Sequence, residues 1–254
     1  MKKFLALALA AVVCTGLAAC GSDTKTEENS GKTYVIYSDN SFAPFEFLDS
    51  ETNTYVGVDM DILAAVAKDQ GFAYEVKNEG FDASMGAVQS GQADGMIAGM
   101  TINDERKKTF DFSDGYFEDG QILVVAKDSD ITSEKDLAGK SVATKIGTMG
   151  TEYAASIKDT VGFDTVNYED SPTMYTAIEN GTNVACFEDR SVVEWAIKNE
   201  NLNLKTVGEV INPKEYGFAV KKGENADLIK MFNEGLKNIK ASGEYEKILA
   251  KYGY

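Results

Sequence analysis

One arginine in the sequence lies where it can recognise an anion. An apolar, glycine-containing run, AGMT (98–101), leads directly into the polar turn INDERKK (102–108), in which Asn103 precedes Arg106 by three residues. A guanidinium presents a planar fork of donors that matches a carboxylate, and a lysine ammonium does not have that geometry. We expect Asn103 to cap a short helix whose first turn contains Arg106. The spacing leaves a second interpretation open, in which Arg106 is a solvated surface charge.

The sequence supplies further donors for a carboxylate. The backbone N–H of Thr101 lies close to Arg106 along the chain, and the run GTMG is predicted to open a helix at Thr148 and Met149. Helix N-termini attract anions because their first N–H groups have no partner within the helix. Together these groups could hold the carboxylate of a small ligand.

Acceptors and aromatic side chains complete a set that suits a zwitterion. Asp189 ends a predicted strand, and the carbonyl of Gly99 and the hydroxyl of Thr101 are further acceptors for an α-ammonium group. Phe42 and Phe81 are candidates to wall the pocket and exclude water. Taken singly, Asp189 could instead cap the helix that follows it, and the two phenylalanines could belong to the core.

Four more charged residues lie near the same predicted edge. Asp39 and Lys145 each end a predicted strand, although Asp39 could also be a turn residue and Lys145 a solvated lysine. Glu46, in PFEF, is expected to be a surface or turn charge. The side chain of Glu188 could point either into the pocket or to solvent.

An alternation of strands and helices must position these candidates. The first half of the chain has the order β-α-β-α-β, which is typical of a parallel sheet covered by helices, and the pattern restarts near residue 122. Asp82 and Ser171 are expected N-caps. Predicted strands cover 33–39, 73–78, 94–100, 122–128, 141–147, 163–168, 183–189 and 216–223. Predicted helices cover 57–71, 81–91, 148–158, 171–181, 190–199, 225–241 and 244–251.

Two α/β units of similar order predict two lobes, each a mainly parallel sheet with flanking helices. No Pro- or Ser-rich linker separates them, and the joints are apolar strands near 119–126 and 211–218. Two such hinge strands mean that the chain enters the second lobe and then returns. We assign lobe 1 to 33–121 plus 217–254 and lobe 2 to 122–216, with a ligand cleft between the two sheets.

The N-terminus is predicted to be a targeting segment rather than part of the fold. Lys2 and Lys3 precede an apolar run that is too short to span a bilayer, and the run ends in LAAC at Cys20. This ending resembles the bacterial lipobox, in which the cysteine is lipidated. We expect a lipoprotein signal peptide over 1–19 and a flexible polar tether over 20–32. The alternative is an ordinary signal peptide that happens to contain a cysteine.

Composition excludes several classes of chemistry. The net charge is −16, and removal of residues 1–19 with their two lysines makes it −16 − 2 = −18, so nucleic-acid binding is disfavoured. The chain has no histidine, which removes Ser-His-Asp and Cys-His nucleophiles and His-ligated metals. No calcium-hand loop is present, and we expect neither metal nor cofactor. Only Cys186 would remain in the mature protein besides Cys20, as an inert core residue, so no intramolecular disulfide is expected.

Several segments resemble one family when they are taken in order along the chain. The segments are SFAPFEF, YVGVDMDILAAVAK, AGMTINDERKKTFDFSDGY, DLAGKSVATKIGT, EYGFAVKKG and SGEYEKILAKYG. Over residues 33–254 they resemble the polar amino-acid substrate-binding proteins of ABC transporters, most closely the glutamine type. The resemblance implies a two-lobed periplasmic-binding-protein-like fold of type II that closes on one L-amino acid. It also implies a permease with its ATPase as partner, a lipid-anchored position on the extracytoplasmic face of the cell membrane, and no enzymatic activity. A monomer is the simplest expectation.

The resemblance also assigns roles by position. It implies that Arg106 binds the α-carboxylate, helped by Thr101 and by the backbone near Met149. It implies that Asp189 and Gly99 accept from the α-amine.

The remaining candidates would meet the ligand side chain. In the resembling family, the positions of Phe42 and Phe81 pack on the ligand, and those of Asp39 and Lys145 meet a side-chain amide. The sequence departs from the family pattern at Met149, where relatives commonly have a smaller residue, and after Asp189, where relatives often have a proline. Glu188 adds a carboxylate that would favour a cationic or amide ligand over an acidic one.

Other functions stay open at this level. A cationic amino acid or cystine is an alternative ligand. A cyclohexadienyl-dehydratase-like enzyme is an alternative class, although its prephenate-like substrate has no amine for Asp189. A sensory or adhesive surface lipoprotein is a third possibility.

Overall fold

The structure, a computed structural model, describes residues 31–254. The predicted signal peptide (1–19), the lipid site at Cys20 and the tether up to residue 30 lie outside the described residues. Gly31–Tyr254 forms one compact unit. Within it, no helix combines the length and apolar character that a membrane span requires.

Strands and helices alternate along the described chain. The strands are β1 (Thr33–Asp39), β2 (Ser41–Phe42), β3 (Glu46–Asp49), β4 (Thr54–Val56), β5 (Ala73–Glu79), β6 (Gly95–Met96), β7 (Phe110–Phe112), β8 (Phe117–Ala126), β9 (Ser141–Lys145), β10 (Asp164–Tyr168), β11 (Ala185–Asp189), β12 (Leu204–Tyr216) and β13 (Ala219–Lys221). The α-helices are α1 (Val58–Gln70), α2 (Phe81–Ser90), α3 (Met149–Val161), α4 (Ser171–Glu179), α5 (Arg190–Asn199), α6 (Ala226–Ser242) and α7 (Glu244–Tyr252). Short 3₁₀ helices cover Arg106–Lys108 and Glu134–Leu137.

The strands form two large sheets and one small sheet. The first sheet has the order β5-β1-β6-β13-β7 and the second has the order β10-β9-β11-β8-β12. In each sheet four of the five strands run in one direction, and the opposed strands are β13 and β8. The prediction of two mainly parallel sheets is confirmed. The small sheet β2-β3-β4 was not predicted, because its strands are only two to four residues long.

Two long antiparallel strands connect the regions of the two large sheets. Strands β8 and β12 pair from Phe117 opposite Tyr216 to Ala126 opposite Leu204. At one end of this pair of strands, Tyr216 also forms a β-bridge with Thr101, which follows strand β6 of the first sheet along the chain. The predicted pair of hinge strands is therefore observed. The exact lobe limits, 33–121 plus 217–254 and 122–216, stay a prediction, since residues 31–254 pack as one unit.

Apolar packing explains why the C-terminal helices return to the first sheet. Residues of α1, α6 and α7 form one buried cluster with β1 and β13. In this cluster Phe232 is fully buried and stacks on Phe218, with ring centroids 4.7 Å apart. Truncation of such a residue to alanine costs about 3–5 kcal/mol, so this contact stabilises the docking of α6. In the second sheet, α4 and α5 pack on one face and α3 on the other.

Three local predictions were wrong. The strand expected over 94–100 is reduced to Gly95–Met96, and Gly99 turns the chain with φ 52°. Helix α2 begins after Gly80 without a side-chain cap, so Asp82 is not its N-cap. Helix α4 is capped by Asp170, which accepts from a backbone N–H, so Ser171 is its first helical residue. The aspartate one position earlier provides an equally good capping oxygen.

Candidate ligand-binding site

All ten predicted ligand-binding residues line one cavity, together with Ala98. Its free volume is about 10 Å³, which is about the space of one water molecule. An amino acid therefore requires the walls to separate or the charged side chains to move. The lining residues are Asp39, Phe42, Phe81, Ala98, Gly99, Thr101, Arg106, Lys145, Thr148, Met149 and Asp189.

The ends of strands and the starts of helices bring these residues together. Asp39 is the last residue of β1, Lys145 the last of β9, and Asp189 the last of β11. Phe81 and Met149 are the first residues of α2 and α3. In an open α/β sheet the carboxyl ends of the strands form the usual ligand-binding edge. Here those edges of the two large sheets face the same cavity.

Arg106 is buried, and the solvated interpretation is therefore wrong. Its side chain donates from Nη1 to the carbonyl of Thr101 at 2.9 Å and from Nη2 to the carbonyl of Gly147 at 2.9 Å. The guanidinium also lies over the Phe81 ring, 5.3 Å from its centroid. The backbone N–H of Arg106 donates to Oδ1 of Asn103 at 2.7 Å, but the short helix begins after Glu105, so Asn103 is not its N-cap as expected. The side chain thus reaches from the first sheet to the loop after β9.

The charge of Arg106 has no direct ionic partner. Within residues 31–254, no carboxylate forms an ion pair with it. Burial lowers the pKa of its guanidinium, while the nearby charges of Glu152 and Asp189 act in the opposite direction. An arginine remains charged in proteins, so the cavity contains a buried cation held only by carbonyl oxygens and an aromatic face.

The N-terminus of α3 borders the same part of the cavity. Thr148 is the N-cap and accepts a long hydrogen bond from the N–H of Thr151 at 3.4 Å. The Sδ atom of Met149 accepts from Nδ2 of Asn103 at 3.1 Å, a second contact between the two sides of the cavity. The positive end of the helix dipole therefore adds to the positive potential around Arg106.

At the other end of the cavity, Lys145 has a direct partner. Its Nζ atom lies 2.5 Å from Oδ2 of Asp39, and both side chains are buried. The ammonium also lies 4.7 Å from the centroid of the Phe42 ring. Burial by itself would lower the pKa of Lys145, but the carboxylates of Asp39 and Glu188 raise it above its ordinary value. Lys145 is therefore not the solvated lysine of the alternative interpretation, and it forms with Asp39 a buried ion pair that joins the two sides.

Asp189 belongs to a network on the hinge strands. It accepts from the hydroxyl of Tyr216 at 2.7 Å and from Nε2 of Gln121. Burial, followed by the charges of Asp119 and Glu188, raises the pKa of Asp189 to about 8. Asp189 occupies the N-cap position of α5, but its carboxylate makes no cap bond there and is engaged by Tyr216 and Gln121 instead.

The two glutamates near the site are both buried. Glu188 accepts from the hydroxyls of Ser171 at 2.8 Å and Tyr175 at 3.1 Å, so it does not point to solvent. Glu46, expected to be a surface or turn charge, is completely buried. That prediction was wrong because the small sheet, which the sequence pattern did not reveal, turns the PFEF segment inward.

Gly99 lies where only a glycine fits. Its φ is 52°, and a Cβ atom on it would be 2.6 Å from the Phe42 ring. Its N–H donates to Oδ2 of Asp59 at 2.8 Å. Close approach of the backbone to the aromatic wall is the reason for the glycine.

Sequence reasoning missed the residues that support the site. Gln121 and Tyr216 hold Asp189, and Asp59 holds Gly99. Gln121 is polar and buried directly before the apolar run ILVVA of β8, a signal that could have marked it. The pairing of Tyr216 with Asp189 brings together residues that are 27 positions apart, and no local pattern predicts it.

The fold and the site are those of a two-lobed solute-binding protein of the periplasmic-binding-protein-like type. It has two large sheets with flanking helices, two long connecting strands and one cavity between strand ends. The model of one family, bacterial extracellular solute-binding proteins, family 3, matches residues 34–254. The chain belongs to this family.

Named relatives extend over almost the whole chain. A Neisseria gonorrhoeae protein named "Probable histidine-binding protein" is 37% identical, covering 99% of this chain and 96% of the relative. The ABC transporter glutamine-binding protein GlnH of Bacillus subtilis strain 168 is 32% identical, covering 99% and 97%. A solved structure of an ancestral arginine-binding protein bound to arginine has a TM-score of 0.82 and 36% identity, covering 89% of this chain and 99% of that one.

Proposed function

We propose that this protein is the binding component of an ABC importer and captures a polar L-amino acid, with glutamine favoured, between its two lobes. Membership of the solute-binding family supports the general function. The relatives described above are named for histidine, glutamine and arginine, so they support an amino acid without selecting one. The choice of glutamine rests on the charges that line the cavity.

The observation that carries the proposal is the buried, unpaired charge of Arg106. A cation in a dry site is costly unless an anion accompanies it. An α-carboxylate would supply that anion and would accept both arms of the guanidinium fork. The N–H of Thr101 and the N-terminus of α3 lie on the same cavity and would add donors.

The opposite end of the cavity favours a neutral side chain that both donates and accepts. Asp39 and Lys145 neutralise each other there. A glutamine amide can donate its NH₂ to Asp39 and accept from Lys145 through its carbonyl oxygen. An arginine side chain would meet Lys145 with like charge, and a glutamate side chain would meet Asp39 and Glu188 with like charge. Glutamine is therefore the best electrostatic match.

The α-ammonium group is assigned to Asp189 and the carbonyl of Gly99. A cation beside Asp189 would relieve the repulsion that Asp119 and Glu188 impose on it. Because the ligand would touch groups from both sheets, it would stabilise the closed arrangement over an open one. An amino acid has about ten heavy atoms, and about −0.8 kcal/mol for each gives a Kd near 1 μM.

We also propose how the protein is attached and what it meets. Cys20 is lipidated and anchors the chain on the extracytoplasmic face of the cell membrane, and the closed monomer docks on a permease with its ATPase. Mass spectrometry of the membrane-extracted protein should find a lipid on Cys20. The variant Cys20→Ala should leave the membrane fraction, and a variant that stays there would contradict the anchor.

The test of function is calorimetric titration of the purified protein after partial unfolding and dialysis to remove bound ligand. The twenty L-amino acids, ornithine and cystine are each titrated. We expect one tight binder, glutamine, with weaker binding of cationic amino acids. If none binds, the proposed function is wrong, and prephenate turnover, which we expect to be absent, becomes the next assay.

A further inference from the structure

Three carboxylate oxygens in the interior have no hydrogen-bond donor. Among residues 31–254, buried side-chain oxygens without a partner occur only on Glu46, where both are affected, and on Asp59, where Oδ1 is affected. Both residues are fully buried. Buried polar atoms are almost always satisfied, so three orphan acceptors on two carboxyl groups require an explanation.

Backbone contacts bring the two residues close together, and their carboxyl groups lie within hydrogen-bonding range of each other. Glu46 begins β3 and pairs with Phe42 across the small sheet, directly behind the ligand cavity. Asp59 lies in the first turn of α1, and its N–H donates to the carbonyl of Phe45 at 3.0 Å. The residue that follows Phe45 is Glu46, so this bond fixes Asp59 next to it.

The other oxygen of Asp59 is fully engaged. Its Oδ2 atom accepts from the N–H of Gly99 at 2.8 Å and from the hydroxyl of Tyr116 at 2.8 Å. Asp59 therefore connects the interior directly to Gly99, whose carbonyl is assigned to the ligand α-ammonium group.

Two ionised carboxylates at this position would be strongly unfavourable, since both groups are fully buried and their like charges would repel each other. One proton between Glu46 and Oδ1 of Asp59 provides a donor and accounts for two of the three oxygens. The neighbouring groups favour its location on Glu46. Burial, then the charges of Asp59 and Asp39, raise the pKa of Glu46 well above its ordinary value against the opposing charge of Lys145. Burial raises the pKa of Asp59 only to about 6, because Gly99 and Tyr116 stabilise its ionised form.

We propose that Glu46 is a neutral carboxylic acid that donates its proton to Asp59, and that this pair positions Gly99 for the ligand. The second half of this inference rests on the proposed function. Glu46 acts through Asp59 and Gly99, without touching the ligand, and is a positioning residue. Its neutrality has a further consequence, because it leaves the Asp39–Lys145 pair balanced and so maintains the preference for an uncharged ligand side chain.

Infrared difference spectroscopy tests the protonation directly. The spectrum of the wild-type protein at neutral pH is compared with that of Glu46→Gln, in H₂O and in D₂O. We expect a carboxylic-acid carbonyl band in the wild type that shifts in D₂O and is lost in Glu46→Gln. The matched control is Asp61→Asn, on the same helix as Asp59. This variant removes an exposed ion pair with Lys251 and should keep the band. Absence of a band assignable to Glu46 would overturn the proposal.

Ligand titrations test the positioning role. Glu46→Gln retains a neutral donor toward Asp59 and should bind glutamine within about threefold of the wild type, whereas Glu46→Met, of similar length, has no donor and should bind about tenfold more weakly. Equal losses in the two variants would overturn the role of the shared proton, and so would unchanged binding in Glu46→Met.

The two proposals fail in different ways. If the wild type binds no amino acid, the proposed function fails, while the infrared band still reports on Glu46. If the wild type binds glutamine but the band is absent, only the present inference fails.

Discussion

Two buried cations line one cavity, and they are neutralised differently. Lys145 has an aspartate 2.5 Å away, supplied by the other side of the cavity. Arg106 has only the carbonyls of Thr101 and Gly147 and the face of Phe81. Carbonyl dipoles stabilise a cation but do not cancel its charge. The difference indicates which end of the cavity requires a negative group from the ligand.

The comparison also separates recognition from selection. The end around Arg106 would bind the α-carboxylate that every amino acid has. The end around Lys145 would sense the side chain, because its charges are already balanced and an added charge disturbs them. A variant that changes the charge balance around only one of the two cations therefore tests this difference.

The largest effect is expected at Arg106. Arg106→Ala removes both arms of the fork and leaves the ligand carboxylate underpaired in a dry site, which costs about 3–5 kcal/mol, or roughly a hundredfold to several thousandfold in Kd. Titration calorimetry with glutamine measures it. Arg106→Lys should lose less, because the charge stays and only the fork is removed.

The control for this change is the exposed neighbour, Lys107→Ala, which should bind like the wild type. If Arg106→Ala also binds normally, the carboxylate lies elsewhere and the contrast between the two cations has no functional meaning.

A somewhat smaller loss is expected at Asp189, together with a gain in stability. Asp189→Asn removes the counter-charge of the ligand ammonium group and should weaken glutamine binding by about a hundredfold. The folded protein holds a proton on Asp189 up to a pKa of about 8, against an ordinary 3.8. The folded state therefore binds more protons than the unfolded state between these values, and the unliganded wild type loses stability as pH rises from about 4 to 8.

Thermal unfolding without ligand at pH 4, 6 and 8 measures this second effect. The Tm of Asp189→Asn should exceed that of the wild type most at pH 8 and least at pH 4. The exposed helix residue Asp159, changed to asparagine, serves as control. If the Tm of Asp189→Asn falls with rising pH as steeply as the Tm of the wild type, Asp189 is not protonated in the folded state.

At the other cation the expected change is in selectivity. Lys145→Met leaves Asp39 without its partner, so glutamine should bind about tenfold more weakly and arginine should gain. The ratio of the two dissociation constants, measured for the wild type and the variant, is the relevant quantity. Lys140→Met, an exposed residue before β9, should leave the ratio unchanged. A proportional loss for both ligands would mean that Lys145 has only a structural role.

The smallest effect is expected at Glu188. Glu188→Gln keeps acceptors for Ser171 and Tyr175 but removes one negative charge near Lys145. Glutamate binding should improve about threefold relative to glutamine, because one repulsive charge is lost. Competition titrations measure the ratio, with the exposed Glu169→Gln as control. A ratio that moves toward glutamine would place the ligand side chain away from Glu188.

Much of the fold followed from local patterns. Alternation of apolar runs with helical spacing located the helices and most strands, because burial of one face imposes a period on the sequence. The exceptions are very short or glycine-interrupted strands, such as the one that ends at Met96. Their pairing depends on neighbouring segments rather than on their own composition.

The sequence also indicated a set of residues that the fold brings together. Every predicted ligand-binding residue lines the cavity, since strand ends and helix starts can be read from the sequence and must meet at the sheet edges. The states of these residues were not predictable. Glu46 was expected at the surface and lies in the interior beside Asp59, because a small unpredicted sheet folds it inward.

Residue types and local periodicity were enough to predict the main alternation of strands and helices, the candidate site residues and the resemblance to the family. How the buried charges are compensated became visible only in the folded structure. Asp39 and Lys145 are 106 residues apart, and Asp119 and Ser191 are 72 apart. Such a group can be paired with another side chain, protonated, or neutralised by a charge of the ligand. The outcome depends on distances and burial that arise when the two sheets come together.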